Sequence, residues 1–504
     1  MELSIKFLRS RVEPFLSDLA VLHHRHGAGL SARFPIRELF AEYPEFTRPE
    51  AFSMVREALD RRALEDDARR HLRALLELLA SQLEDAISAG ASEEIAALEA
   101  NAHVSFGTTT MSLRDAFAAL PQESSRLKRD AMEQALSNLL LENQRPYARR
   151  REAAHETAQR LGFGTYLELR KAVTGIELEP LVKECEEVLK RTEDAYRDIL
   201  GYALRKLDPE LKVRPSGAAR RHDVLRAATA PWLAEHFRRE DLLPTVVQCV
   251  EQLGFHPSAN GRIQLDTEDR PGKSSRAFVA DVKVPDDVRL VVRPGHGLDD
   301  YFSLLHEYGH ALHFAHVSRA ASVEDRRLGD ASVTEAWAFL FDHFLIDEQW
   351  HRRFLHTSLP VARDSARVAA FNNLVLLRRY CARLPYELEL YTRGPVRELA
   401  DDYEERLSAA LFAEVPRGLF LCDVDPQLYA VRYLRAWALE VRLRALLQER
   451  FDEDFWRNPS SGRWLATQFE RGQSVDAEAL SKELTGQPLS LVSAGQSLVA
   501  VLNR

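Results

Sequence analysis

Leu72, Leu75, Leu76, Leu79, Leu83 and Ile87 advance along the chain in steps of 3, 1, 3, 4 and 4. That spacing keeps one helical stripe apolar, and it is incompatible with a strand, whose side chains alternate with period 2. The same texture fills the chain from its start to about residue 250. It includes a run from Ile176 to Leu207, rich in Leu, Glu and Lys, with its charges on the outer face. Breaks are expected at Ala89-Gly90, near Phe106-Gly107, at Pro121, at Gly162 to Gly164 and at Pro215-Ser216-Gly217. Between about Gly254 and Pro294 the pattern changes. Asn260-Gly261 is a hairpin-type turn signal ahead of Arg262 to Asp266, Pro271-Gly272 leads into Arg276 to Val282, and Val288 to Val292 is a β-branched run. These short strands are the only sheet expected, and helices resume after Pro294. The fold class is therefore mainly α: a large helical body with a small sheet at about residues 260–293. An N-terminal helical region spans 1–250 and a second region spans 251–504.

A length of 504 residues suits two or three domains or one large helical body. With 45% hydrophobic and 29% charged residues, the balance is that of a soluble globular protein. The formal net charge of −9 leaves no basic excess to neutralise a phosphate backbone, so nucleic acid is not an expected partner. Arg149, Arg150 and Arg151 lie in a polar stretch and are expected on a solvated helix face. Cys185, Cys249, Cys381 and Cys422 form no C-x-x-C, so neither a disulfide framework nor a thiolate zinc site is expected. Charges at Lys6, Arg9, Arg11 and Glu13 make the N-terminus an amphipathic helix rather than a signal peptide. No run approaches the roughly 18 apolar residues that a membrane span needs. A cytoplasmic protein without a membrane partner is the expectation.

Residues His306-Glu307-Tyr308-Gly309-His310 spell H-E-x-x-H. Residues four apart on a helix share a face, so both imidazoles can reach one tetrahedral zinc. Glu307, about 100° further round the helix, is placed to exchange a proton with a water at the metal. Tyr301, Leu304, Leu305, Tyr308, Leu312 and Phe314 can pack behind the polar face.

A catalytic zinc needs a third protein ligand and a position left for water. His316 would complete H-E-x-x-H-x-x-H-x-x-H, superficially the metzincin pattern. That pattern needs glycine where this chain has His313, and a downstream Met-turn, whereas Met1, Met54, Met111 and Met132 all lie upstream. The other candidate is Glu335, near the start of a second apolar helix in Ser332-Val333-Thr334-Glu335-Ala336-Trp337. S-x-x-E is equally a capping box, in which Glu335 would bond only the backbone at Ser332. The residues by themselves leave both readings open.

His306-Glu307-Tyr308-Gly309-His310-Ala311-Leu312-His313, with Glu335 25 residues after His310, resembles the thimet oligopeptidase / oligopeptidase F family of zinc peptidases. There H-E-F-G-H-A-x-H is followed at that distance by a glutamate ligand. The resemblance implies one Zn2+ on His306, His310 and Glu335, with Glu307 as general base. Gly272 to Phe278 looks like the family's strand along the substrate channel, an edge with which an extended peptide could pair. Leu428 to Tyr433 resembles the tyrosine-rich segment facing the zinc. That implies Tyr433 as donor to the oxyanion and Tyr429 as its support or a substrate contact. Two positions depart from the family: Ala436 stands where it has a further tyrosine, and Val424 where it has a histidine. The likeness is sharp over about residues 270–345 and looser to about 445. It implies zinc-binding helices at about 298–345 followed by C-terminal helices, with residues 1–250 forming one wall of a deep channel. The implied activity is that of a zinc metalloendopeptidase, an oligopeptidase cutting internal bonds of short peptides.

A zinc carboxypeptidase of the Taq type is the alternative, also helical and of similar length. Its H-E-S-Q-S-R segment is replaced here by Ser332 to Trp337. An aminopeptidase would carry G-x-M-E-N, which does not occur. A catalytically silent peptide-binding homologue would have no use for Glu307. Of the remaining candidates, His23, His24 and His26 are expected in a solvated loop, and His296 in the loop before the zinc helix. His313 and His343 could brace packing or act. Asp299 and Asp300 could orient a ligand histidine or cap its helix.

Overall fold

The stripe from Leu72 to Ile87 lies inside one uninterrupted helix, Asp66–Asn101. Gly90 does not end it: the position has open space around it, and an isolated glycine costs a helix only about 1 kcal/mol relative to alanine. Burial of Ala89, Ala91 and Ile95 on the same helix offsets that cost. The computed structural model describes residues 3–61, 64–209 and 219–504, and the break expected at Pro215-Ser216-Gly217 lies outside them. The run from Ile176 to Leu207 forms two helices instead of one, Leu178–Arg191 and Glu193–Leu207. They meet at Thr192, whose buried hydroxyl donates to the Val188 carbonyl and accepts from Arg378.

The architecture is mainly α, as the periodicity predicts, but it holds two sheets among the described residues. His103–Phe106 (β1) pairs antiparallel with Thr109–Ser112 (β2). The break near Phe106-Gly107 is the turn of this hairpin, with Gly107 at φ +57°. The second sheet contains Ile263–Asp266 (β3), Phe278–Lys283 (β4) and Asp287–Val291 (β5) in the order β3-β5-β4. β3 runs parallel to β5, and β4 antiparallel to it. Asn260-Gly261 therefore makes no hairpin. With Ala259 it takes positive φ and turns the chain from helix Arg239–Leu253 into β3.

The arginine run corrects the expectation of a solvated face. Arg149 pairs with Glu94 near the surface of helix Gln144–Arg160, but Arg151 is 2% exposed. Arg151 donates to the Tyr391 hydroxyl at 3.1 Å and to the carbonyls of Val424 and Asp425. A buried guanidinium is tolerable when fixed acceptors replace its water. One buried apolar cluster extends from Leu8 and Leu75 to Trp337, Trp437 and Leu498. No helix among the described residues is long and apolar enough to cross a membrane.

Three helices position the H-E-x-x-H segment: the motif helix Leu298–His316, the glutamate helix Ala331–Asp342 and the tyrosine helix Ala430–Phe451. At Gly309 the first two come so close that an added Cβ would sit 2.6 Å from Ala338 Cα and 3.0 Å from the Trp337 carbonyl. Both obstacles are backbone, which cannot rotate away. Glycine to alanine inside a helix ordinarily stabilises by about 1 kcal/mol. Gly309→Ala should invert that sign and destabilise by about 1–3 kcal/mol, the usual cost of overpacking, read as a lowered midpoint in thermal or denaturant unfolding.

Candidate metal centre

His306 Nε2 and His310 Nε2 lie 3.5 and 3.4 Å from Glu335 Oε2. These three ligand atoms fall within 4.8 Å of one another, the one such His/Cys/Asp/Glu group among the described residues. The two histidines are one helical turn apart, and Glu335 faces them from the packed neighbouring helix. Glu335 is nearly buried (5% exposed), and Oε2 has no hydrogen-bond donor. A buried carboxylate oxygen without a donor is costly. Two imidazole nitrogens and a carboxylate oxygen converging on one point suit Zn2+, so the residues present fit the metal. The capping-box alternative for Glu335 does not apply. The N-cap of its helix is Asp330, which accepts from the Ser332 amide at 3.0 Å.

The far sides of the imidazoles are also fixed. His306 Nδ1 lies 2.8 Å from Asp342 Oδ2, and His310 Nδ1 lies 3.0 Å from Thr334 Oγ1. With each Nε2 on a metal ion, each Nδ1 would carry the proton and donate outward. The Thr334 hydroxyl then has its own proton for His313 Nδ1, 3.2 Å away. That assignment requires a neutral His313, and burial, with help from His310, pushes it down to about 3. His313 thus braces His310 through Thr334. Asp342 and Thr334 are the members that sequence reasoning missed. A signal existed: Asp342 stands seven residues, about two turns, after Glu335 on an otherwise apolar helix, and Thr334 adjoins Glu335.

Other expected participants lie elsewhere. Asp299 and Asp300 occupy the first turn of the motif helix, where carboxylates favour the helix N-terminus, and the orienting role belongs to Asp342 and Thr334. His316 bonds the Leu312 carbonyl and packs on Phe255 and Phe469. His296 is an exposed loop residue. His23, His24 and His26 lie in helix Ile5–Gly27, not in a loop; His24 is buried beside Arg289 and the other two pack on Phe34.

Glu307 follows His306 on the motif helix. Burial pushes its carboxyl above the usual range, while His306, His310 and the Val279 amide on β4 pull it back. The two tyrosines differ in what they touch. Tyr429 donates to Glu335 Oε1 at 2.8 Å. Tyr433 stacks edge-on against Tyr429 and touches Tyr380, and its hydroxyl makes no hydrogen bond among the described residues. Burial and the nearby Glu335 and Glu307 charges keep its phenol protonated. At the two departures from the family pattern, Ala436 is fully buried in the tyrosine helix and Val424 is buried with its carbonyl bonded to Arg151.

The fold is a large helical body of the kind seen in solved peptidases. PZ peptidase A, solved with an inhibitor, superposes with a TM-score of 0.68 at 14% identity, over 97% of this chain and 91% of that one. An M32 carboxypeptidase from Deinococcus radiodurans R1 superposes with a TM-score of 0.61 at 16% identity, over 99% of both chains. At these identities the likeness is one of fold. No family model matches the sequence, and no curated protein is significantly similar to it.

Chelator competition should detect one tight Zn2+ per wild-type chain and none in Glu335→Ala. Thr334→Val should stay folded and bind zinc about 10-fold more weakly or worse, the usual effect of removing an outer partner of a ligand histidine.

Proposed function

We propose that this chain is a zinc-dependent peptidase of short, unfolded peptides, with His306, His310 and Glu335 holding one Zn2+ and Glu307 acting as general base. The observation that carries the reading is the convergence of two imidazole nitrogens and an undonated carboxylate oxygen beside a second, separate carboxylate. A bound zinc would polarise the scissile carbonyl and acidify the attacking water. Glu307 takes that water's proton and returns it to the leaving amine. Tyr433 donates to the developing oxyanion, because its hydroxyl is uncommitted. Tyr429 spends its proton on Glu335 and so acts on the ligand rather than on substrate. β4 is an edge strand whose Val279 amide faces Glu307, which suits main-chain pairing with an extended peptide.

Removal of C-terminal residues is better supported than internal cleavage. The chain superposes end to end on an M32 carboxypeptidase, 99% of each. Internal cleavage rests on the motif resemblance to the thimet oligopeptidase / oligopeptidase F family and on the likeness to PZ peptidase A. Peptides of roughly 5–15 residues, with free or amidated C-termini, separate the two modes when products are read by mass spectrometry. Loss of terminal residues from free acids alone is the expected result. Internal cuts in both sets would establish the oligopeptidase instead. No cuts by a zinc-loaded wild type would sink the enzyme reading and leave a peptide-binding role.

Glu307→Gln should keep its zinc and lose about 10²–10⁴-fold in kcat. Tyr433→Phe should lose about 10²–10³-fold in kcat with zinc affinity unchanged, whereas Tyr429→Phe should weaken zinc binding.

A further inference from the structure

The outward contact of His306 does not end at Asp342. Asp342 is fully buried, and its second oxygen, Oδ1, lies 2.8 Å from His343 Nδ1. His343 is itself buried at the C-terminal end of the glutamate helix, with Nδ1 also 2.7 Å from the Phe339 carbonyl. Its other nitrogen, Nε2, lies 3.7 Å from Glu440 Oε2 on the tyrosine helix. Glu440 accepts from Arg444 Nε at 2.7 Å, and Arg444 reaches Ser497 Oγ at 3.1 Å. His343, Arg444 and Ser497 line a cavity of about 160 Å³. The row of groups therefore runs from a metal-ligand imidazole across two helices to a polar cavity.

Acidic and basic side chains alternate along this row. The His343 ring lies between the carboxyl groups of Asp342 and Glu440, and the Arg444 guanidinium lies beyond Glu440. Buried charges persist only when paired and hydrogen-bonded. Burial works against a charged His343, but Glu440 and Asp342 together hold it above its ordinary value against the opposing pull of Arg444. Its two nitrogens must then both donate, and each faces a carboxylate.

We infer that His343 is a positioning residue of the metal centre: a buried imidazole, flanked by Glu440, that fixes the Asp342 carboxylate so that Oδ2 holds the His306 imidazole. A carboxylate bound at one oxygen can swing about its own axis, and one held at both oxygens cannot. The inference rests on the metal reading above, since His306 must be a ligand for its orientation to matter. A purely structural role is the competing account, because a histidine at a helix C-terminus caps carbonyls and favours the helix dipole. That role would lower stability without touching metal affinity.

The test is the zinc dissociation constant, measured by chelator competition on the full chain, alongside thermal unfolding of the metal-free protein. His343→Gln keeps a neutral hydrogen-bonding group, and Glu440→Gln leaves His343 and its cap in place. His351→Phe serves as control. His351 is an equally buried histidine that bonds the Leu345 carbonyl and has no contact with Asp342. His343→Gln should bind zinc about 10-fold more weakly, the lower end of what outer partners contribute, and Glu440→Gln should shift affinity in the same direction. His351→Phe should lower the unfolding midpoint and leave affinity unchanged. Affinities within twofold of wild type for both His343→Gln and Glu440→Gln overturn the inference. If His343→Gln does not fold, Glu440→Gln decides alone. A wild type without stoichiometric zinc overturns the metal reading and this inference together.

Discussion

Everything at the centre of this protein depends on how closely two helices approach at Gly309. A side chain there would collide with the backbone of Ala338 and Trp337, so the motif helix and the glutamate helix are in backbone contact. Only at that separation can short side chains reach across: Glu335 to two imidazoles, Thr334 to His310 and His313, Asp342 to His306. A methyl group's worth of extra spacing would leave each polar reach too long. The glycine in H-E-x-G-H is thus a distance-setting residue, and the polar contacts are its consequence.

A second constraint holds the glutamate helix from its other end. Asp330 caps that helix and also accepts from Arg432, Arg435 and the Ala477 amide. Although burial opposes it, Arg432 and Arg435 keep the Asp330 carboxyl far below its ordinary range. Arg432 lies between Tyr429 and Tyr433 in sequence, and its other contact is Glu77 in helix Asp66–Asn101. Glu335, the tyrosine pair and the N-terminal helices are thereby tied through one buried carboxylate. Interactions of this kind add little net stability, because desolvation of both partners offsets their attraction, but they allow only one arrangement.

The helical class, the short strands near residues 260–293 and the grouping of His306, His310, Glu307 and Glu335 were legible because each rests on local period or fixed spacing. The β1-β2 hairpin was not, since four residues of alternation around Val104 and Phe106 are too few to stand out against helical surroundings. Arg151 misled for a different reason. A run of three arginines looks solvated until its acceptors, Tyr391 and two carbonyls near residue 424, are known, and those are more than 240 positions away in the chain. Asp342 and Thr334 escaped notice because outer partners follow no motif. They are found by asking which polar residues on a buried helix face lack a reason to be there.

The buried Arg151 also bears on how the molecule can be cut. Its guanidinium grips the carbonyls of Val424 and Asp425, in the segment that leads directly into Tyr429 and the tyrosine helix. The first half of the chain therefore acts as a mould in which the last wall of the site is cast. A fragment beginning near residue 251 would keep His306, His310, Glu335 and the Tyr429–Glu335 hydrogen bond, and yet lose the grip of Arg151 and Glu77 on the segment around those tyrosines.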